Sequence, residues 1–157
     1  MLFQSNVPYF NDLGSLEDRN GYGSDLFLRD LEIGTTDVIS RVPGAFATGD
    51  GASYSGALSR DGRWVAFLSE ARDLGPSIAS DRGRQVFLRD AVNGRTTLVS
   101  AGLDGVGADG SVSEPAISAD GRFVIFGSNA RNLMAACQST LSISTTASTE
   151  TLARRPL

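Results

Sequence analysis

Blocks of this sequence recur at a nearly constant distance along the chain. Residues 25–30 (Asp-Leu-Phe-Leu-Arg-Asp) return as residues 85–90 (Gln-Val-Phe-Leu-Arg-Asp), an offset of 60 positions. Residues 57–69 and 116–128 match at an offset of 59, since both contain Ser-x-Asp-Gly-Arg followed by an apolar run that ends in Ser. Matched blocks in a fixed order predict a chain of repeated structural units, so the fold must satisfy the same pattern more than once.

The repeated blocks have the properties of β-strands. Each is short, rich in Val, Ile, Phe or Trp, and bounded by Gly, Asp, Asn or Ser, whereas no segment predicts a helix. Asp61-Gly62, Asn93-Gly94 and Asp120-Gly121 separate such runs, and these dipeptides supply the positive φ angles of tight hairpins. One complete unit is therefore predicted to be an antiparallel meander of four strands, at residues 56–59, 64–69, 85–90 and 96–100.

The central strands are apolar at consecutive positions. Residues 64–68 read Trp-Val-Ala-Phe-Leu and residues 123–126 read Phe-Val-Ile-Phe, so both faces of these strands must be covered. A repeated four-stranded sheet covered on both faces is typical of the blades of a β-propeller. The predicted fold class is all-β, a partial β-propeller with a repeat of roughly 60 residues. A β-sandwich is the alternative, although it does not require a repeating unit.

The repeated blocks of this sequence resemble those of a known family of repeats. The pattern comprises residues 115–122 (Pro-Ala-Ile-Ser-Ala-Asp-Gly-Arg), the strand at 123–128, the pair Asn132-Leu133 and the strand at 85–90. It is similar to the bacterial TolB-like, or WD40-like PD40, β-propeller repeats. Gly56 stands where the family pattern has the proline found at position 115.

The resemblance implies a division of the chain. Residues 1–134 would be propeller repeats, and residues 135–157 a Ser/Thr-rich irregular tail for which a frameshift in the gene is an alternative explanation. The repeats would form a partial blade, a full blade and a second partial blade, at residues 1–42, 43–101 and 102–134. Because known members close a ring of about six or more blades, we expect a fragment of a longer protein, with further blades from the same chain or another copy.

The composition argues against most catalysis. All 14 basic residues are arginines, and without histidine or lysine the chain lacks the usual activators of serine and cysteine nucleophiles, His-ligated metals and Schiff bases. The net charge of −4 opposes binding to nucleic acid, and no apolar run approaches the roughly 20 residues needed to span a membrane. The single cysteine, Cys137, cannot form an internal disulfide. We therefore predict a protein that is not an enzyme.

One loop has the composition of a calcium site. Asp18, Asn20 and Asp25 offer side-chain oxygens at short spacing, and Gly21 allows the chain to bend between them. The loop is similar to an Asp-x-Asn-Gly-x-x-Asp loop of the resembled family, with one extra residue. The alternative is an ordinary polar turn. In the equivalent loop at residues 78–85 most of these oxygens are lost and two arginines appear.

Other conspicuous residues have structural interpretations. The Asp-Gly-Arg triplets at 61–63 and 120–122 are explained by hairpin turns, with the arginine pairing to an acid such as the one that ends Phe-Leu-Arg-Asp. The Arg-Asp pairs at 29–30 and 89–90 are interpreted as ion pairs at blade edges. Aromatic residues in the apolar strands are assigned to the core rather than to a binding platform: Trp64, Phe67, Phe123 and Phe126.

Three functions remain open at this point. The first is a non-catalytic propeller scaffold that binds a protein or another ligand. The second is the propeller portion of a secreted hydrolase, similar to prolyl oligopeptidase, whose catalytic domain lies outside these residues. The third is a calcium-dependent extracellular repeat protein. The resemblance implies the periplasm or the cell exterior, although the sequence itself contains no signal peptide.

Overall fold

The chain folds into three antiparallel β-sheets. The computed structural model describes residues 1–6, 14, 16–75, 83–133 and 149–154, which contain strands, turns and loops and no helix. The predicted all-β class is therefore confirmed, and no helix capable of crossing a membrane occurs in these ranges. The strands are β1 (Leu2–Ser5), β2 (Asp25–Arg29), β3 (Thr36–Val38), β4 (Ser53–Leu58), β5 (Trp64–Ser69), β6 (Gln85–Asp90), β7 (Arg95–Leu98), β8 (Ala116–Ile117), β9 (Phe123–Ser128) and β10 (Thr149–Arg154).

The second sheet is the complete unit. Its strand order β4-β5-β6-β7 follows the sequence, and every neighbouring pair is antiparallel, as the hairpin dipeptides predict. β5 and β6 pair along their whole length, with Trp64 opposite Asp90 and Ser69 opposite Gln85. β4 carries an irregularity between Tyr54 and Ala57, where Ser55 adopts a φ of 49°. The predicted four-stranded meander is confirmed.

The first and third sheets each contain three strands. The first has the order β1-β2-β3 and the third the order β8-β9-β10. β10 lies in the tail that the sequence predicts to be irregular, and it pairs antiparallel with β9 along residues 123–128. A strand therefore forms where the sequence has no repeat pattern, because β9 offers a partner with the required backbone groups along its whole length.

The Asp-Gly-Arg triplets form the predicted turns. Gly62 has a φ of 73°, and the Asp61 carboxylate accepts the Arg63 backbone N–H at 3.1 Å. The predicted role of the arginine is also confirmed, since Arg63 Nη2 lies 2.7 Å from Asp90 Oδ2, at the end of β6. This contact ties the β4–β5 hairpin to the neighbouring β6. The Arg63 guanidinium and the Asn93 side chain hold the pKa of Asp90 well below its usual range.

Both faces of the second sheet are covered by a neighbouring sheet. Toward the first sheet, a buried cluster unites Leu26 and Ile39 with Phe67 and Phe87; we call this interface the first seam. Toward the third sheet, Ala66, Leu68, Val86 and Leu88 share a cluster with Val124 and Phe126, the second seam. Three sheets thus stack in chain order. This is the arrangement of successive propeller blades rather than the two facing layers of a sandwich.

The stacking accounts for the apolar character of the central strands. Phe67 and Phe87 are 0% exposed, and their rings stack with centroids 5.7 Å apart. Burying one such side chain contributes roughly 1.5–3 kcal/mol relative to leaving it exposed. Consecutive apolar residues are required in β5 because odd and even positions face different seams.

Candidate functional site

The loop predicted to bind calcium begins with a tight turn. The Asp18 carboxylate accepts the backbone N–H groups of Asn20 (3.1 Å) and Gly21 (2.9 Å). Gly21 has a φ of 64°, a conformation that glycine adopts without strain. The carboxylate that the sequence offers as a cation ligand therefore also organises its own turn, in the manner of an Asx turn.

Asp25 lies at the other end of this loop, at the start of β2. The residue is 5% exposed, and its Oδ1 accepts a 2.8 Å hydrogen bond from the Ser40 hydroxyl. Asn20 Nδ2 donates to both Asp25 oxygens at 3.3 Å and to the Gly51 carbonyl at 3.2 Å. Burial raises the pKa of Asp25 to about 6, against the opposing effect of these hydrogen bonds. The structure thus places Asn20 beside both of the other predicted ligands.

The side chains of this loop fit a calcium ion only in part. Within the described ranges, no group of three or more His, Cys, Asp or Glu side chains is placed to hold a metal ion. Asn20 presents its amide nitrogen, rather than its oxygen, to Asp25, while Asn20 Oδ1 is buried without a hydrogen-bond partner. Turning the amide over exchanges these two atoms and places an oxygen beside the Asp25 carboxylate and the Gly51 carbonyl. Oxygen ligands of this kind are those that calcium prefers.

The second repeat has a neutral side chain in the position of Asp25. Gln85 Oε1 accepts hydrogen bonds from the Ser100 hydroxyl (2.7 Å) and the Ala108 N–H (2.9 Å). Its Nε2 donates to the Ala108 carbonyl at 3.2 Å. Gln85 therefore links the second sheet to the segment that leads into the third sheet. Residues 78–82 of the equivalent loop lie outside the described residues.

A groove lies beside the Asn20 loop, at the first seam. Its volume is about 420 Å³, and its lining is mostly uncharged and polar. Tyr22, which the sequence analysis did not single out, is 96% exposed at its rim. The Tyr54 side chain packs against the second-seam cluster instead, where the Arg84 guanidinium lies 4.8 Å from its ring centroid and pairs with Glu70 at 3.0 Å. Lining residues include Gln4, Asn6, Tyr22, Ser24, Ala52 and Tyr54.

The chemistry of the groove is that of a binding site for polar ligands. Tyrosine combines a large apolar ring with a hydroxyl at low conformational cost, which is why it is enriched where proteins bind partners. Side-chain amides such as those of Gln4 and Asn6 both donate and accept hydrogen bonds. This groove could not be predicted from the sequence, because β1, the 22–24 turn and the start of β4 come together only when the first two sheets stack.

The structure places the other conspicuous residues in structural roles. Phe67 and Phe126 are 0% and 2% exposed, as expected of core residues. Trp64 and Phe123 are half-buried, with the guanidinium groups of the preceding arginines 4.9 and 5.3 Å from their ring centroids. One prediction about the Arg-Asp pairs is wrong. Arg89 is fully buried and donates to the Thr96 hydroxyl, while Asp90 pairs with Arg63, so Arg89 and Asp90 do not form an ion pair at a blade edge.

Comparison with known proteins finds similarity among solved structures. No family model matches the chain, and no curated protein matches it. Among solved structures, the crystal structure of TolB from Acinetobacter baumannii is similar, with 17% sequence identity and a TM-score of 0.41. The similarity covers 73% of this chain and 26% of that one, so this chain spans about a quarter of the length of that protein.

Proposed function

We propose that this protein is a non-catalytic repeat scaffold that binds a protein or a small polar ligand in the groove at the first seam. The observation that carries the proposal is the groove itself, where the exposed ring of Tyr22 lies beside uncharged polar side chains such as those of Gln4 and Asn6. Stacked sheets supply a rigid base, and residues from three separate segments are thereby held in one arrangement. Binding sites are commonly built in this way, on loops positioned by a rigid scaffold.

We further propose that the chain is part of a larger TolB-like propeller that works in the periplasm or outside the cell. The PD40-like motifs and the face-to-face stacking of successive sheets support this proposal. Additional blades, from the same chain or another copy, would cover the outer face of the third sheet, where Ile125 is 40% exposed.

The groove is tested by comparing a Tyr22 variant with a matched control. We expect ligands selected from a random peptide display library or a neutral glycan array to bind the wild-type chain and to lose about tenfold or more affinity with Tyr22→Ala. Leu103→Ala, which truncates another largely exposed side chain, should leave the affinity unchanged. Equal binding by all three proteins would show that the groove is not the site.

We also propose calcium as a ligand of the Asn20 loop, held by Asp18, Asn20 and Asp25. The support is the buried Asn20 Oδ1 without a hydrogen-bond partner, next to a buried carboxylate. Calcium should raise the melting temperature of the wild-type chain, whereas magnesium should not, because a ligand that binds only the folded form stabilises it. Asp25→Asn should abolish the calcium effect. A wild-type melting temperature that does not respond to calcium would leave the loop as a polar turn.

A further inference from the structure

Two arginines meet inside the first seam. Arg89, on β6, is 0% exposed, and Arg41, which follows β3, has a side chain that is 27% exposed. Their Nη2 atoms are the nearest heavy atoms to the position that a Cβ on Gly94 would occupy, at 3.6 and 3.7 Å. Gly94 has a φ of 67°, so the turn after β6 requires a residue without a side chain there. Two cationic groups thus approach the same side of one backbone turn, where no side chain of residue 94 separates them.

Several buried N–H groups of these two arginines have no hydrogen-bond acceptor. Arg89 Nη1 donates to the Thr96 hydroxyl at 3.0 Å. Arg89 Nε, Arg89 Nη2 and Arg41 Nε are buried without a hydrogen-bond partner in the structure described. Buried donors of charged groups normally have partners, since leaving one unsatisfied is costly and arginine keeps its proton. The unused donors therefore indicate that an acceptor belongs beside them.

The charges near the pair do not balance. Asp37 Oδ1 lies 3.9 Å from Arg41 Nη1, in a side chain that is 43% exposed. Asp90, the neighbour of Arg89 on β6, is already held by the Arg63 guanidinium at 2.7 Å and by Asn93 at 2.8 Å. Burial, and then the adjacent Arg41, lower the pKa of Arg89. Two arginines against one available carboxylate leave one positive charge uncompensated.

We propose that this site binds a single monovalent halide ion, chloride in physiological solution, between Arg41 and Arg89. One negative charge would compensate the positive charge that Asp37 leaves unbalanced, and a monatomic anion can accept hydrogen bonds from both guanidinium groups at once. The ion would accept hydrogen bonds from the unused guanidinium donors. Gly94 is half-buried and Arg41 is partly exposed, so a small movement of the Arg41 side chain admits the ion from solvent.

The first sheet contains a matched position with a single arginine. Arg29 Nη1 donates to the Thr36 hydroxyl at 2.9 Å, as Arg89 does to Thr96. Its Nη2 lies 3.7 Å from the Cβ position of Gly34, and no second arginine approaches that position among the described residues. Arg29→Gln removes the same charge as Arg41→Gln but leaves the proposed site intact, which makes it the control variant.

The test compares melting temperatures in sodium chloride and in sodium gluconate at equal ionic strength. At chloride concentrations about ten times the dissociation constant, the wild-type chain and Arg29→Gln should melt roughly 3–6 °C higher in chloride. Arg41→Gln should melt at the same temperature in both salts, since it has no unbalanced charge. Equal melting of the wild-type chain in the two salts, or a chloride effect retained by Arg41→Gln, would overturn the proposal.

The position of the ion is tested separately by crystallography. Crystals grown with sodium bromide should show an anomalous peak between the Arg41 and Arg89 guanidinium groups. Peaks confined to other surfaces, at a resolution where both side chains are ordered, would contradict the assignment. Both measurements are independent of whether the Tyr22 groove binds a ligand.

Discussion

The second and third sheets carry the same central-strand motif but bury it to different extents. In β5 and β9 the equivalent residues Phe67 and Phe126 are 0% and 2% exposed, because each faces the preceding sheet. The adjacent equivalent residues, Ala66 and Ile125, differ: Ala66 is 0% exposed in the second seam, whereas Ile125 is 40% exposed. The two strands therefore differ only on the face that points away from the preceding sheet.

This difference shows that the burial of a residue in a repeated strand depends on whether a neighbouring sheet covers it. Ile125 is the larger and more apolar of the two residues, yet it is the more exposed. Apolar area contributes to stability only where another surface removes it from water. The stability of each strand therefore depends on how many of its faces are covered, which matched substitutions in the two sheets can test.

The largest expected effect comes from placing the same polar residue at the two unequal positions. Ala66→Asn buries an amide in the second seam and overpacks it, and should lower the free energy of unfolding by about 3 kcal/mol or more. Ile125→Asn should lower it by less than about 1 kcal/mol, because that face is partly exposed. Urea denaturation of both variants measures the difference. Equal losses would show that the two faces are covered alike.

A smaller effect should distinguish two hairpins that have the same Asp-Gly-Arg sequence. A Cβ on Gly121 would lie 2.5 Å from Trp64 Cδ1 of the second sheet, whereas one on Gly62 would meet nothing within 4 Å. Gly62→Ala should cost about 1–2 kcal/mol through positive-φ strain alone. Gly121→Ala should cost about 1–3 kcal/mol more, because Trp64 must move. Thermal denaturation that ranks the two variants equally would argue against this contact across the second seam.

A third comparison sets Asp25 of the first sheet against Gln85 of the second. The pKa of Asp25 is raised to about 6 from an ordinary value of 3.8, so the folded state binds its proton more tightly than the unfolded state does. Its stabilising contribution is complete below pH 3.8 and is lost as the pH rises through about 6. Asp25→Asn should therefore raise stability at pH 8 by roughly 1–2 kcal/mol and have little effect near pH 4.

Denaturation across this pH range, in the absence of calcium, measures the effect of Asp25→Asn. Gln85→Glu is the complementary variant, since it introduces a carboxylate at the equivalent buried position and should lose stability as the pH rises. An unchanged pH profile for Asp25→Asn would mean that Asp25 is not protonated preferentially in the folded chain.

The smallest effect is expected at the surface ion pair between Arg84 and Glu70. The side chains are 55% and 42% exposed, so solvent screens the 3.0 Å contact. Glu70→Gln should change the free energy of unfolding by less than about 0.5 kcal/mol. A loss as large as that of Ala66→Asn in the same urea titration would show that exposed contacts contribute more than the seams.

The features that could be predicted from the sequence are those set by local patterns. Four strands of the complete unit follow from the alternation of apolar runs and Asx-Gly turns, and the pairing of Arg63 with Asp90 follows from the repeat. The approach of Arg41 and Arg89 to Gly94 and the Tyr22 groove could not be predicted. Both join residues far apart in sequence, and their geometry depends on how one sheet lies against the next.

The central claim is that alternate side chains of one strand contact two different sheets. In a nuclear Overhauser experiment on the full chain, Phe87 should show contacts to the first-sheet residues Leu26 or Ile39. Val86, its neighbour on β6, should show contacts to Val124 or Phe126 of the third sheet. Contacts from both residues to the same sheet, or from neither residue to any sheet, would contradict the stacked arrangement.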